Sequence, residues 1–112
     1  MNMFMGVPAI GMCSQHKNGV HYEIHKHRPN FVKKHSITGR IYPITQIEPM
    51  NMKKRHDEIA KTLKHHNSPY ELPDLSYLPE DERNARMDPK WSIEELKRRC
   101  PECRKLMEKL GM

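Results

Sequence analysis

Side chains that could do chemistry are concentrated between residues 15 and 27. Glu23 is the single acid among residues 15–40, where six bases also lie. Nearby positive charge keeps a carboxylate ionised. On a polyanion-binding face, such a carboxylate is useful where it stabilises a cation or moves a proton. The residues alone leave two interpretations open, a catalytic Glu23 and a surface glutamate that forms helical ion pairs with Lys26 or His27, and by themselves they favour the second.

The positive charge of the chain predicts a polyanion as its partner. Lys and Arg number 20 against 14 Asp and Glu, a formal net charge of +6. A basic face of this kind is typical of nucleic-acid binding. The alternative is an ordinary soluble surface that happens to be basic, but the lone acid inside the stretch favours nucleic acid. The bases of the stretch are Lys17, Lys26, Arg28, Lys33, Lys34 and Arg40.

Three cysteines and one histidine have the spacing of a zinc site. Cys100 and Cys103 are separated by two residues, and so are Cys13 and His16. Two such pairs could form one tetrahedral set of ligands. The alternative is buried free thiols with His16 in an active site, and this interpretation, with no metal and no cofactor, is the one we predict. An odd number of cysteines argues against closed disulfides and favours a reducing cytoplasm.

The elements that would position these residues are helical. A chain of 112 residues is one domain, 1–112. The patterns predict an all-α fold of about three helices, over residues 13–27, 50–65 and 92–110. In the second helix, one stripe consists of Met52, His56, Ile59 and Leu63, and the opposite, solvated face carries Lys53, Arg55, Asp57 and Lys61. Pro29 should end the first helix. Ser92 and Glu95 form a capping box at the start of the third, with Trp91 and Leu96 as a hydrophobic staple.

Long ordered loops should connect the helices. Residues 1–12 are interpreted as an arm packed on the body, residues 36–49 as extended, and residues 67–89 as a loop held by its apolar side chains. Pro101 should interrupt the last helix and Gly111 should end it. A transmembrane run of about 18 apolar residues is absent from the sequence. Phosphate-binding glycine loops, HExxH pairs and serine nucleophile elbows are absent as well.

Short segments along nearly the whole chain resemble one protein family. Gln15-His16 followed by Tyr22-Glu23-Ile24 resembles the first-helix signature of the phage pyrimidine-dimer DNA glycosylases, also called the endonuclease V family. Residues 33–39, 54–59, 66–69 and 99–103 match in the same order. The resemblance implies an endonuclease V-like fold, a compact domain of helices with long loops.

The resemblance also implies an activity and a set of site residues. The α-amine of Met1, or of Asn2 after processing, would attack C1′ of a damaged nucleotide, and the Glu23 carboxylate would stabilise the imine that forms. The expected function is a DNA glycosylase with AP-lyase activity on pyrimidine-dimer-like or modified bases, and the expected partner is double-stranded DNA. The chain would act as a monomer in the cytoplasm of an infected bacterial host. Substrate contacts would come from Gln15, His16, Tyr22, Lys26, His27, Arg28, Lys33, Lys34 and Arg40.

Departures from the family pattern leave two alternatives open. Close relatives tend to carry apolar residues where Lys17 and Asn18 stand, and an acid where Val20 stands. These changes lie beside Glu23, so one alternative is a non-catalytic DNA-binding protein that kept the fold. The other is an interaction module stabilised by zinc at Cys13, His16, Cys100 and Cys103.

Overall fold

The protein is all-α in the computed structural model, which describes residues 3–35, 48–63 and 69–112. Within these ranges there are five α-helices and no strand. The all-α prediction is confirmed, and the expected three helices become five. The helices are α1 (Ser14–Val32), α2 (Met52–Ala60), α3 (Glu80–Arg83), α4 (Pro89–Arg99) and α5 (Pro101–Lys109), with 3₁₀ turns at Ala9–Gly11 and Pro49–Asn51.

One core joins the N-terminal arm to the helices. The arm buries Met3, Phe4, Val7, Ala9 and Met12, which confirms that it packs on the body. The predicted stripe on α2 is also present, with Met52, His56 and Ile59 buried and Leu63 packed against the core. The helices add Val20, Ile24, Phe31, Leu96, Cys103 and Met107 to the same cluster.

Arg55 on α2 is fully buried, whereas the sequence pattern predicts it on the solvated face. Its guanidinium donates to the backbone carbonyls of Met3, Phe4 and Val7 at 2.8–3.0 Å. It also pairs with Glu58 at 3.1 Å. A guanidinium with several fixed donors can satisfy a cluster of carbonyls in this way. Arg55 therefore holds the arm against α2 and is not part of a DNA-binding surface.

Helix α1 continues through Pro29, where the sequence predicts its end. Proline removes one backbone hydrogen bond and crowds the preceding turn. The last turn persists because Phe31 is buried in the core and Lys33 N–H donates to the Pro29 carbonyl at 2.9 Å. Tertiary packing here outweighs the local cost of the proline.

Helix α4 begins one turn earlier than the predicted capping box. Asp88 is its N-cap and accepts a hydrogen bond from Lys90 N–H at 3.0 Å, and Pro89 takes the first helical position. Proline is favoured there because that position needs no N–H donor. Ser92 is consequently buried inside the helix and Trp91 is exposed, so the predicted capping box and staple are wrong.

The remaining predictions for the C-terminal half hold. Cys100 separates α4 from α5, with Pro101 at the first position of α5. Gly111 follows the end of α5 with a φ of +79°. Between residues 69 and 88 the chain is irregular apart from α3, and Tyr70, Leu75 and Leu78 are buried. The predicted extended segment lies almost wholly outside the described residues. A search of the described residues finds no helix long and apolar enough to cross a membrane.

Candidate functional site

A cavity of about 440 Å³ lies beside the first half of α1. Because side chains three and four positions apart share one face of a helix, α1 presents several predicted site residues to it together. Four of the predicted residues line this cavity: Gln15, His16, Tyr22 and Glu23. Phe4, Gly19, Val20 and Arg99 complete its wall. The structure therefore gathers the residues of the predicted pocket around the predicted catalytic carboxylate.

Glu23 has a histidine partner one helical turn further along. His27 Nε2 lies 3.4 Å from a Glu23 carboxylate oxygen. Burial lowers the pKa of His27 below its usual range, although the nearby Glu23 carboxylate acts in the opposite direction. A neutral His27 can donate Nε2–H to Glu23 without becoming a full counter-ion. This contact orients the carboxylate and still leaves its charge available to a substrate.

Phe4 contributes to the cavity wall from a strained backbone position. Its φ is +46°, a value that residues other than glycine rarely adopt. The carbonyl of Phe4 is held by Arg55 at 2.8 Å, and its ring meets the His16 ring edge-on at 6.4 Å. Such strain persists where the surroundings over-determine the conformation. The Arg55 contacts with the arm thus fix one side of the cavity.

Arg99 is a lining residue that the sequence pattern does not predict. It is the last residue of α4, and its Nε donates to Glu95 at 2.6 Å. The guanidinium places a fixed positive charge at a cavity that already contains Glu23. The sequence offered one indication of this position. A metal ion shared by the Cys13–His16 pair and the Cys100–Cys103 pair would bring residue 99, next to Cys100, close to residue 16.

The predicted phosphate contacts do not all lie together. Lys26 is exposed one turn beyond Glu23, and Lys33 and Lys34 are exposed after the end of α1. The rise of an α-helix puts residue 33 about 15 Å from residue 23 along the axis. Arg28 Nε instead donates to the Glu71 carbonyl at 2.6 Å. The exposed lysines thus extend the site along α1, while Arg28 is engaged by the segment around residue 71.

Three of the predicted site residues fall outside the described residues. These are Met1 and Asn2, the expected sources of the nucleophilic amine, and Arg40, an expected phosphate contact. The segments 36–39 and 66–68 of the family resemblance also lie there. The described part of the site is therefore the carboxylate, its cavity and the basic end of α1.

A cluster of three cysteines and one histidine lies behind the cavity. The donor atoms of Cys13, His16, Cys100 and Cys103 all lie within 4.8 Å of one another, close enough to bind one metal ion. His16 Nδ1 is 3.2 Å from Cys13 Sγ and 3.6 Å from Cys103 Sγ. Cys13 Sγ is 3.8 Å from Cys100 Sγ. The structure thus brings together the four residues of the zinc alternative, for which the sequence interpretation preferred free thiols.

Two of these separations, 3.8 Å from Cys13 Sγ to Cys100 Sγ and 3.6 Å from His16 Nδ1 to Cys103 Sγ, match the edges of a zinc-centred tetrahedron, and the 3.2 Å from His16 Nδ1 to Cys13 Sγ is shorter than such an edge. Bonds of about 2.3 Å to sulfur and about 2.05 Å to nitrogen give edges of roughly 3.8 Å between sulfurs and roughly 3.6 Å between sulfur and nitrogen. Backbone N–H groups also point at the sulfurs. Cys13 N–H donates to Cys103 Sγ at 3.2 Å, and Cys103 N–H donates to Cys100 Sγ at 3.4 Å. Bonds of this kind stabilise metal-bound thiolates.

Burial and the fold position the four donors for one ion. The three thiols are free and buried. Burial raises the pKa of the Cys103 thiol to about 12, so a nearby cation is needed to hold it as a thiolate. Cys13 precedes α1 and Cys100 lies at the break between α4 and α5, so the site joins the two ends of the described chain. His16 belongs both to this cluster and to the cavity wall.

A larger and more open cavity of about 850 Å³ lies elsewhere, between the arm and α2. It contains none of the predicted catalytic or pocket residues. Its wall consists mainly of lysines and exposed apolar side chains: Pro8, Ala9, Ile10, Met50, Lys53, Lys54, Asp57, Glu58, Lys61 and Thr62. The larger volume of this cavity is therefore not matched by the predicted site chemistry, which lies in the Glu23 cavity.

The candidate site thus consists of the Glu23 cavity and the adjoining Cys13, His16, Cys100 and Cys103 cluster, with His16 shared between them. The family resemblance rests on the sequence segments quoted above. Comparisons of the chain with family models, with curated proteins and with solved structures gave no match.

Proposed function

We propose that this protein is a DNA glycosylase with associated AP-lyase activity on damaged or modified bases in duplex DNA. The observation that carries the proposal is the cavity in which Glu23 lies with Gln15, His16 and Tyr22. Its volume of about 440 Å³ falls within the range of ligand pockets, roughly 300–1,000 Å³. Enzymes that act on a base take the nucleotide out of the stack into such a pocket.

The proposed reaction uses an amine and the Glu23 carboxylate. The amine nitrogen forms a bond to C1′ of the deoxyribose, and the C1′–N bond to the base breaks. The base leaves with that electron pair and takes up a proton. The C1′–O4′ bond then breaks, O4′ takes up the proton that the amine nitrogen loses, and the nitrogen lone pair forms a cationic imine with C1′, which the ionised Glu23 stabilises. Removal of a C2′ proton then expels the 3′ phosphate by β-elimination and cuts the strand.

Positive charges near the cavity support duplex DNA as the substrate. Arg99 lines the cavity, and Lys26, Lys33 and Lys34 are exposed along or after α1. Phosphate contacts of this kind position a protein on DNA without reading its sequence. The amine would be that of Met1 or Asn2, as the family resemblance implies. We also propose that the protein is a monomer that acts in the cytoplasm, the reducing compartment that the odd number of cysteines favours.

The cluster behind the cavity is proposed to hold a structural zinc ion. Cys13, His16, Cys100 and Cys103 supply four ligands of the types that closed structural zinc sites use. With all four positions taken by the protein, the ion has no open position for a substrate. It would tie α1 to the α4–α5 junction and fix the orientation of His16. A reducing compartment suits this set, because the ligands must remain free thiols.

Borohydride trapping tests the glycosylase proposal. The protein is incubated with ultraviolet-irradiated, abasic and undamaged duplexes and is reduced with borohydride, which converts the imine into a stable protein–DNA adduct. We expect an adduct on damaged duplexes and its location at the N-terminal peptide by mass spectrometry. Glu23→Gln should reduce strand cleavage by about 100-fold or more, the usual contribution of a proton-transfer group.

Glu94→Gln is the matched control, because Glu94 is an exposed carboxylate on α4. This variant should cleave like the unmodified protein. An adduct that forms at full rate with Glu23→Gln would contradict the role of the carboxylate. Salt-dependent duplex binding with no adduct on any damaged substrate would instead identify a non-catalytic DNA-binding protein.

A further inference from the structure

A second group of metal-binding side chains lies on another face of α1. His21 and His25 project from α1 one turn apart, and His56 projects from α2 towards them. His56 Nε2 lies 3.0 Å from His21 Nε2 and 3.0 Å from His25 Nε2. The donor atoms of the three rings lie within 4.8 Å of one another. His21 and His56 are buried and His25 is half-buried.

Hydrogen bonds among the three rings do not account well for this convergence. A neutral imidazole nitrogen carries either one proton or one lone pair. His56 Nε2 therefore has a single group to share between two neighbouring nitrogens. A metal ion at the centre would instead accept a lone pair from each ring, which is the usual way in which neutral histidines bind transition metals.

Asp57 determines which ring nitrogen of neutral His56 carries the proton, and it selects the tautomer that can bind a metal ion through Nε2. Its carboxylate lies 3.0 Å from His56 Nδ1 and accepts a hydrogen bond from it. Because Nδ1 then carries the proton, Nε2 carries the lone pair. A carboxylate behind a ligand histidine is the common outer contact of protein metal sites. Lys53 Nζ lies 3.4 Å from the same carboxylate and helps to hold it in place.

Tyr70 covers the group. Its ring stacks on His56 with centroids 4.9 Å apart and meets the His25 ring edge-on at 5.3 Å. The Tyr70 side chain is buried, and its hydroxyl has no hydrogen-bond partner among the described residues. Aromatic packing therefore fixes two of the three rings.

We infer that His21, His25 and His56 form a second metal site, which binds a divalent first-row transition-metal ion. Imidazole ligands suit Zn²⁺, Cu²⁺, Fe²⁺ and Ni²⁺, and oxygen-preferring Mg²⁺ and Ca²⁺ do not fit this set. With metal–nitrogen bonds of about 2.1 Å, a separation of 3.0 Å between nitrogens gives an angle of roughly 90° at the metal. Such an angle favours five or six ligands, so the ion keeps positions for water.

This site is independent of the zinc cluster and of the proposed glycosylase reaction. The two groups share no residue. The zinc cluster has four protein ligands including three thiolates, whereas the histidine site has three imidazoles. Cobalt distinguishes the two sites, because thiolate ligands give Co²⁺ an intense charge-transfer absorption and imidazole ligands do not.

The test is a Co²⁺ titration of the full chain after removal of metal by a chelator. Calorimetry counts the bound ions and absorption identifies their ligands. We expect two equivalents, of which one lacks the thiolate band. His25→Gln should lose the Co²⁺ ion without the thiolate band and keep the one with the band. Cys100→Ser should lose the Co²⁺ ion with the thiolate band and keep the one without it. His27→Gln is the matched control for His25→Gln, because it removes a half-buried histidine of the same helix outside the group.

A second pair of variants tests the site without removing a ligand. Asp57→Asn should weaken the equivalent that lacks the thiolate band by about 10- to 100-fold, the usual effect of losing such an outer contact. Glu71→Gln is its control, since Glu71 also pairs with Lys53, at 3.6 Å, but not with His56. Circular dichroism verifies that each variant is folded. The inference would be overturned if the unmodified protein bound no Co²⁺ ion without a thiolate band. It would also be overturned if both His25→Gln and Asp57→Asn bound that ion with unchanged affinity.

Discussion

Cys13 Sγ and Cys100 Sγ lie 3.8 Å apart, although the two residues are 87 positions apart in the chain. A contact of this kind between remote cysteines costs conformational entropy that two thiols do not repay by themselves. Neither forms a disulfide. The metal ion proposed to bind these two thiols together with His16 and Cys103 would account for the approach, and it would link the stability of the fold to metal binding.

Removal of zinc should therefore lower the stability of the protein. At free zinc about a thousandfold above Kd, binding adds about 4 kcal/mol to the free energy of unfolding. We expect thermal unfolding with and without a chelator to show a large fall in Tm, together with one zinc per chain by elemental analysis. His16→Cys is the control, because it keeps four ligands and should keep zinc while it alters the cavity wall. An unchanged Tm after chelation would contradict the zinc proposal.

Loss of the Arg55 guanidinium should destabilise the fold strongly. Arg55→Met leaves the buried carbonyls of Met3, Phe4 and Val7 without their donor, and we expect a loss of about 3 kcal/mol or more. Lys54→Met is the control, since Lys54 is exposed next to it, and should change stability by less than about 0.5 kcal/mol. Equal denaturation midpoints for the two variants would show that the contacts with the arm contribute little.

Two glycine-to-alanine substitutions should have opposite effects. A Cβ at Gly6 would lie 2.3 Å from the Pro89 carbonyl oxygen, so Gly6→Ala must push the arm away from α4 and destabilise the protein. A Cβ at Gly19, inside α1, would meet nothing within 4 Å among the described residues. Gly19→Ala should stabilise the helix by up to about 1 kcal/mol. Urea denaturation of both variants tests the packing of the arm, and a neutral Gly6→Ala would contradict it.

The lysines near the end of α1 should determine how steeply DNA binding depends on salt. Each phosphate contact contributes about 0.9 to the slope of log K against log salt concentration. Lys26→Ala and Lys33→Ala should each reduce the slope by about this amount. Lys105→Ala, an exposed lysine on α5, is the control and should leave it unchanged. An equal effect of all three would indicate a diffuse basic surface without a defined DNA-binding face.

An ion-pair group on α4 predicts a small pH dependence of stability. Hydrogen bonds from Arg98 and then Arg99 lower the pKa of Glu95 below its ordinary value of 4.5. The contribution of Glu95 is therefore fully present above pH 4.5 and is lost as the pH falls through the lower pKa of the folded state. Glu95→Gln should have a slightly lower Tm than the unmodified protein at neutral pH, and the two Tm values should become equal in acid. Glu94→Gln, its exposed neighbour, is the control for the comparison of Tm across pH.

The sequence predicts those features of the fold that depend on local chemistry. The stripe of Met52, His56 and Ile59, the break at Pro101 and the stop at Gly111 are present as expected. Each depends on side-chain spacing or on backbone conformation within a few residues. The pocket residues Gln15, His16 and Tyr22 were expected from the family resemblance, and helix geometry explains why residues at these spacings line one cavity with Glu23.

The rest depends on contacts between remote segments. Arg55 has the spacing of a solvated residue, and its burial follows from carbonyls some 50 positions earlier. Helix α1 passes Pro29 because Phe31 packs in the core. The convergence of His56 with His21 and His25, and the place of Arg99 in the cavity wall, likewise require the packed helices. No local pattern contains this information.

The position of Cys103 has a consequence for the making of the protein. The four-donor site draws on both ends of the described chain, and its last ligand follows its first by 90 positions. A nascent chain therefore completes the set only after Cys103 has left the ribosome. With the proposed zinc site, products truncated before Cys103 would lack this metal clamp and would be more exposed to proteases.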